Sequence, residues 1–209
     1  MKQKILFTIG ITLILCSYRL ANATTYNVTN VAGLSNACSS AVSGDIINIG
    51  AGTYALPSNL SLNSGVSLIG AGRDNTLLTC ASTAFNINNK SNINIRDMAF
   101  QGSGTSTHNF FRFTSCSYIN IYNFRISNMG AGMLFYTCNN INIHDFIATN
   151  ASSCTQAVFE FLETTSNCNV YNGNATNDNT YKGKFVGAGP DQSKTQVPLG
   201  HCQERKLLT

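Results

Sequence analysis

Hydrophobic and polar residues alternate in four similar segments of the 209-residue chain. These segments are INIRDM (93–98), INIYNF (119–124), INIHDF (141–146) and the degenerate CNVYNG (168–173). Strict alternation predicts β-strands and not helices. The first residues of successive segments are 26, 22 and 27 positions apart. Such a period is typical of solenoids, in which each repeat buries a core against its neighbour. The pattern therefore predicts a parallel β-helix with one coil per repeat.

Each repeat also contains two further alternating segments. We call the six-residue repeated segment the phrase. One of the further segments lies upstream of the phrase and appears as FNI (85–87), FRF (111–113), MLF (133–135) and, with a one-residue slip, FEF (159–161). The other follows the Asp or Asn of the phrase, as in MAF (98–100), FRI (124–126) and FIA (146–148). Three strands per coil predict three parallel sheets around a core of Ile, Phe, Leu and Val side chains.

The segment before the repeats has helical spacing. Its apolar residues Leu34, Ala37, Cys38 and Ala41 lie within 30–43, with Asn30 as the N-cap. A short helix here would cover the apolar end of the first coil. The fold class predicted is all-β: a single-stranded parallel β-helix of about five to six coils with an N-terminal capping helix.

The chain ends differ from the body. Residues 1–23 combine Lys2 and Lys4, an apolar run over 5–16 and Ala-Asn-Ala at 21–23. This pattern predicts a cleaved secretory signal and an extracellular protein, or a periplasmic one in a bacterium. No later apolar run has membrane length. The β-helix domain is predicted over 24–181. The basic tail 182–209 has no alternation, which indicates a fragment of a longer β-helix or a segment that is disordered or binds a partner.

The charge of the body excludes one class of partner. The whole chain carries a formal charge of +4, but residues 24–181 hold five Lys and Arg against seven Asp and Glu. A body with a slight negative charge argues against nucleic acid, which requires a basic surface.

Cysteine spacing suggests cross-links between coils. An exported protein is expected to form disulfides. Cys116 and Cys138 each lie three residues before a repeat, so they form either a bridge between adjacent coils or two stacked thiols. Further candidate pairs are Cys154 with Cys168 and Cys38 with Cys80. The CxxC spacing of zinc sites is absent from the sequence, so no structural metal is predicted.

Two segments accompany the repeats: GDIINIGAGTY at 44–54 and GAG at 70–72. Together these motifs resemble the pectin-lyase-like right-handed β-helix superfamily over residues 30–178. Lyases, hydrolases, epimerases, adhesins and phage spikes share this scaffold, so the resemblance does not select a chemistry. The Asp or Asn of each phrase, at 97, 123, 145 and 172, is expected at the bend between two strands, where these residues tolerate left-handed backbone.

The resemblance implies where substrate would bind. In similar enzymes it lies along the outer face of the strand that precedes the phrase, where the outward residues would be Asn86, Arg112, Leu134 and Glu160. Nearby loops add Lys90, His108 and Glu163. Arg112 is a candidate charge neutraliser or base, and Lys90, His108 and Glu160 are further catalytic candidates. Asn86, Glu160 and Glu163 are candidate Ca²⁺ ligands. The alternative interpretation of these residues is scattered surface charge. His144 is expected to point outward without an evident partner.

Two functions remain open from the sequence. The first is a secreted enzyme of the lyase or epimerase kind that acts on an acidic polysaccharide, with Ca²⁺ as a candidate cofactor. The second is a non-catalytic module that binds glycans, supports adhesion or has a structural role, or a fragment of a larger β-helix enzyme.

Overall fold

The structure is a computed structural model that describes residues 22–103, 108–129, 131–149, 158–176 and 185–187. The chain is an all-β, right-handed parallel β-helix of about six turns with one short helix near the N-terminus. The signal peptide predicted over 1–23 and the tail predicted over 182–209 lie almost entirely outside the described residues. The described residues include no helix long and apolar enough to cross a membrane.

Fourteen strands and one helix follow one another along the described chain. They are β1 (Thr25–Val28), α1 (Val31–Ser40), β2 (Ile46–Ile49), β3 (Gly52–Ala55), β4 (Ser67–Gly70), β5 (Thr76–Thr79), β6 (Phe85–Asn88), β7 (Ser91–Gln101), β8 (Asn109–Thr114), β9 (Ser117–Ser127), β10 (Ala131–Tyr136), β11 (Asn139–Thr149), β12 (Phe159–Leu162), β13 (Ser166–Thr176) and β14 (Phe185–Gly187).

These strands form two parallel sheets. Sheet A has the order β1-β2-β4-β7-β9-β11-β13, with β3 and β5 paired alongside and β5 also bonded to β7. Sheet B has the order β6-β8-β10-β12-β14. Each coil therefore contributes one strand to sheet B and one long strand to sheet A in the region of the clear repeats.

The long strands merge two of the three predicted sheets. Each of β7, β9, β11 and β13 continues through a bend inside the phrase. The bend residues are Asp97, Asn123, Asp145 and Asn172, with φ of 61°, 50°, 53° and 51°. Backbone hydrogen bonds continue on both sides of the bend, so the two faces belong to one sheet. The prediction of left-handed backbone at the phrase's Asp or Asn is confirmed, because short polar side chains tolerate this conformation better than others.

The core is filled by side chains that stack on their equivalents one coil away. Ile93, Ile119 and Ile141 are fully buried in sheet A. In sheet B the rings of Phe85 and Phe111 stack with centroids 4.7 Å apart and planes 6° from parallel. Each such side chain contributes roughly 1.5–3 kcal/mol by burial. Register between coils is therefore held by apolar packing as well as by backbone hydrogen bonds.

The capping helix is present, and it is shorter than the predicted 30–43. The Asn30 side chain accepts a hydrogen bond from the Gly33 amide at 2.8 Å, which satisfies a free donor at the helix start. Leu34, Ala37 and Cys38 are buried against the first coil. The helix thus covers the end of the core that the solenoid would otherwise leave open.

The two corners of the coil differ in length. Between a sheet B strand and the following long strand the connection is two residues (89–90, 115–116, 137–138) or three (163–165). Between a long strand and the next sheet B strand it is seven (102–108), three (128–130) or nine (150–158) residues. We call the first of these connections the short corner and the second the variable corner. The variable corner accounts for most of the unequal spacing of the phrases.

The predicted disulfides are not present in the described residues. Cys38, Cys80, Cys116, Cys138 and Cys168 are all free, while Cys154 lies outside the described part. Cys116 and Cys138 stack at the short corner as two buried thiols, and the Cys116 amide donates to the Cys138 sulfur at 3.4 Å. Their side-chain hydrogen bond lowers the pKa of Cys116 to about 7 and raises the pKa of Cys138. Of the two arrangements predicted for this pair, the structure shows the stacked thiols.

Candidate functional site

The outer face of sheet B carries the row of side chains expected from alternation. Because Phe85, Phe111, Met133 and Phe159 point into the core, the next residue of each strand points outward. Asn86 pairs in register with Arg112, Arg112 with Leu134, and Leu134 with Glu160. The four predicted residues therefore form a single row along the axis of the coil.

Arg112 is the distinctive residue of this row. Its side chain is exposed, and it has no hydrogen-bond or ion-pair partner among the described residues. Leu134, its neighbour toward the C-terminus, is 7% exposed. Glu160 lies two strands away, about 10 Å from strand spacing, and is half-buried. A guanidinium without a carboxylate partner is available to bind an anionic ligand.

A second outward row lies two residues further along each strand. It consists of Asn88, Thr114, Tyr136 and Leu162, again in register. Tyr136 is 37% exposed, and it is on the strand next to Arg112, about 8 Å away along the diagonal between the two rows. Sequence reasoning missed this tyrosine, although extending the alternation past Leu134 would have placed it on the outer face.

The remaining predicted catalytic residues lie around the edge of this face. Lys90 is at the short corner, where its Nζ donates to the Asn63 side chain at 3.1 Å. His108 is exposed and directly precedes β8. Glu163 is exposed directly after β12, with φ of 57°. The Lys90 side chain is thus hydrogen-bonded to a residue of another coil. His108 and Glu163 flank opposite ends of sheet B strands.

The predicted Ca²⁺ ligands do not come together. Asn86 lies three strands from Glu160, about 14 Å from strand spacing, whereas Ca²⁺ ligands lie about 2.3–2.6 Å from the ion. Asn86 and Glu160 therefore cannot hold the same ion. Within the described part of the chain, no group of three or more His, Cys, Asp and Glu side chains is arranged to bind a metal.

The outer face of sheet A carries an in-register row that we call the ring row. It consists of Arg96, Tyr122, His144 and Tyr171. The Tyr122 and His144 rings stack with centroids 5.0 Å apart, and those of His144 and Tyr171 with centroids 4.8 Å apart. The Arg96 guanidinium carbon lies 6.0 Å from the Tyr122 centroid, within range of a cation–π contact.

His144 differs from its sequence-based prediction. Its Nδ1 lies 2.7 Å from Oδ2 of Asp145, so it does have a partner. This hydrogen bond lowers the pKa of the Asp145 carboxyl. The contact forms because the left-handed backbone at Asp145 turns the carboxylate back toward the preceding side chain.

Two polar rows flank the ring row. The amide row consists of Asn94, Asn120, Asn142 and Asn169, in register two residues earlier in each strand. Asn169 donates to Asn142 at 2.9 Å. At the bend, Asn123 donates to Asp97 at 2.5 Å. The Asn123 and Asp97 side chains thus link two adjacent coils at the bend.

Comparison with known proteins identifies the fold alone. Neither a protein-family model nor a curated protein matches the chain. An alginate lyase from Paenibacillus sp. str. FPU-7 aligns with a TM-score of 0.57 at 13% identity, over 73% of this chain and 66% of that protein. The PL6 family alginate lyase AlyGC aligns with a TM-score of 0.63 at 16% identity, over 84% of this chain and 28% of that protein. The chain thus spans less than two thirds of either protein.

Proposed function

We propose that the chain is a secreted lyase that cleaves an acidic polysaccharide on the outer face of sheet B. The observation that carries this proposal is Arg112, an exposed guanidinium without a carboxylate partner in the described part of the chain. Two alginate lyases with the same scaffold support a polysaccharide substrate. The signal-like residues 1–23 support export, where such polymers occur.

The reaction proposed is β-elimination at a uronate residue. Arg112 binds the uronate carboxylate and neutralises the negative charge that develops when the C5 proton is removed. Tyr136, in its phenolate form, takes that proton as general base and becomes the neutral phenol. The electron pair of the C5–H bond forms the C4=C5 double bond, and the C4–O bond breaks. The leaving oxygen receives a proton, which Tyr136 returns as general acid.

The geometry of the face suits these two roles. Arg112 and Tyr136 are on adjacent strands, and both project from the same side of sheet B. A spacing of about 8 Å between their backbones leaves room for one sugar ring between two long side chains. Glu160, two strands from Arg112, would accept hydrogen bonds from the hydroxyl groups of a neighbouring sugar.

The test is the absorbance of the unsaturated uronate produced from alginate and from polygalacturonate, with Ca²⁺ and with a chelator. Arg112→Ala is expected to lower kcat/KM by about 10²-fold or more, and Tyr136→Phe by about 10²–10⁴-fold. Arg125→Ala is the matched control, because Arg125 already pairs with Asp74 at 3.0 Å on another face. Absence of product from the wild-type protein on both polymers, or full activity of Arg112→Ala, would contradict the proposal.

A further inference from the structure

The outer face of sheet A is a second long surface, and the proposed lyase does not use it. The ring row is the central part of a longer in-register row. Toward the N-terminus it continues through Ile69, Asn48 and Asn27. This row of seven positions extends about 29 Å at one residue per strand spacing. A row of this length fits an extended polymer better than a small molecule.

We propose that this face binds a neutral, extended polysaccharide lying along the axis of the coil. The first argument is the repeat distance. The ring row and the amide row present one polar group per coil, at the strand spacing of about 4.8 Å. One hexose unit of an extended chain has a similar length, so successive sugars would meet equivalent groups on successive coils.

The second argument is the chemistry of the exposed edges. Tyr122, His144 and Tyr171 cover one another's ring faces, with planes within 8° of parallel. The stack therefore directs hydroxyl and imidazole edges outward, where they donate and accept hydrogen bonds. Tyr171 is in the last strand of sheet A in the described part and is 37% exposed. The neighbouring carboxamides add donors and acceptors without charge.

The third argument is charge. Both basic members of the ring row contact carboxylates, Arg96 with Asp97 and His144 with Asp145. An acidic polymer on this face would meet those carboxylates and would have to displace them from their partners. A neutral glycan leaves both pairs intact. This contrasts with Arg112 on sheet B and separates the two surfaces by the class of glycan that each would take.

A cavity lies at the N-terminal end of the same row. Its volume is about 250 Å³, and its lining includes Asn27, Asn48, Ile69 and the backbone of Gly50 and Gly70. Two carboxamides beside an apolar side chain match the mixed polar and apolar surface of a sugar ring. The cavity is a suitable position for one sugar unit of the bound chain.

Native affinity electrophoresis tests the proposal with hydroxyethyl cellulose, galactomannan and xylan as neutral probes and alginate as the acidic probe. We expect retardation by at least one neutral polymer. Binding of that polymer should also change the fluorescence of the chain, which contains eight tyrosines and no tryptophan.

The decisive variant is Tyr122→Phe combined with Tyr171→Phe, which keeps both rings and removes two hydroxyl groups. Its affinity for the neutral polymer should fall roughly tenfold. Tyr136→Phe is the matched control on sheet B and should leave this affinity unchanged, as should Arg112→Ala. Because Arg112→Ala should lower the proposed lyase activity and leave neutral-polymer binding unchanged, the two proposals fail independently.

Several results would overturn the inference. Retardation by none of the three neutral polymers, or by alginate alone, would remove it. So would equal retardation of the wild type and the Tyr122→Phe/Tyr171→Phe variant. Sedimentation that shows a dimer, disrupted by that variant, would assign this face to a second copy of the chain instead.

Discussion

Replacing Asn123 tests whether the bend residues are chosen for their backbone conformation. Asn123 has φ of 50° at the bend of β9, and its side-chain amide donates to the Asp97 carboxylate at 2.5 Å. Two effects are therefore combined in one residue. Alanine removes the hydrogen bond and strains the backbone, whereas glycine removes the hydrogen bond alone.

The magnitudes follow from this geometry. A hydrogen bond to a charged acceptor contributes about 1.5–3 kcal/mol, and partial exposure at the bend places this one near the lower end. Left-handed backbone costs an ordinary residue about 1–2 kcal/mol, of which asparagine already bears a part. Asn123→Ala should lower the free energy of unfolding by about 2–3 kcal/mol. Asn123→Gly should lower it by about 1 kcal/mol less, since glycine adopts positive φ freely.

Urea unfolding followed by far-UV circular dichroism and by tyrosine fluorescence measures the difference, provided that the two transitions coincide. Asn120 is the matched control, because it lies three residues earlier in the same strand with ordinary extended backbone. There the order should reverse, with glycine worse than alanine. If alanine is tolerated as well as glycine at position 123, or if both positions show the same order, the reasoning is wrong.

Two further predictions concern packing and titration. Gly132→Ala should destabilise the fold by at least about 2–3 kcal/mol in thermal unfolding, because the added Cβ would lie 2.0 Å from the Val158 carbonyl oxygen; Gly33→Ala, with 3.4 Å to its nearest neighbour, should be neutral or stabilising. The second prediction follows from the pKa of Cys116, which is lowered from an ordinary 9.0 to about 7. The lowered pKa stabilises the folded state fully above pH 9, and this stabilisation is lost as the pH falls through 7. The urea midpoint should therefore rise from about pH 7 to about pH 9 in the wild type and less in Cys116→Ser, while the raised pKa of Cys138 lowers stability above that range; equal slopes in both proteins would refute this assignment.

Most of the fold was predictable because its determinants are local and repeated. Alternation specifies which residues face the core, and the repeat spacing specifies which residues are neighbours in adjacent coils. Asn and Asp at equivalent positions specify the bend, since few other residues accept left-handed backbone. The sequence did not show that backbone hydrogen bonding continues through the bend. Because it does continue, two of the three predicted sheets form one sheet.

The candidate site was predictable in part. The offset between the two strands of a repeat placed Arg112 and Glu160 in one outward row, as the structure has them. The partner of His144 was not predictable from alternation, because the contact depends on how the backbone at Asp145 turns its carboxylate. The ring row carried an available signal: its members occupy the same position of each phrase, so their stacking follows once the register is known.

The cysteines show where spacing alone is insufficient. Cys116 and Cys138 occupy equivalent corner positions, and their backbones are close enough for a bridge. Side-chain direction decides whether a disulfide forms. In the structure both thiols donate hydrogen bonds to backbone carbonyl groups. Lys90 occupies the corner position equivalent to Cys116, which explains why it does not join the outer face of sheet B.

The unequal connections of the variable corner show which part of the coil can change in length. Segments of seven, three and nine residues enter β8, β10 and β12, yet these strands keep the same register. Selection and protein engineers can therefore lengthen, shorten or exchange these segments next to Arg112 without realigning the rows behind them. The bend inside each long strand of sheet A, with one Asp or Asn per coil, does not tolerate such changes in length. Under the proposed function, differences in glycan preference among chains built this way are expected to concentrate at this corner.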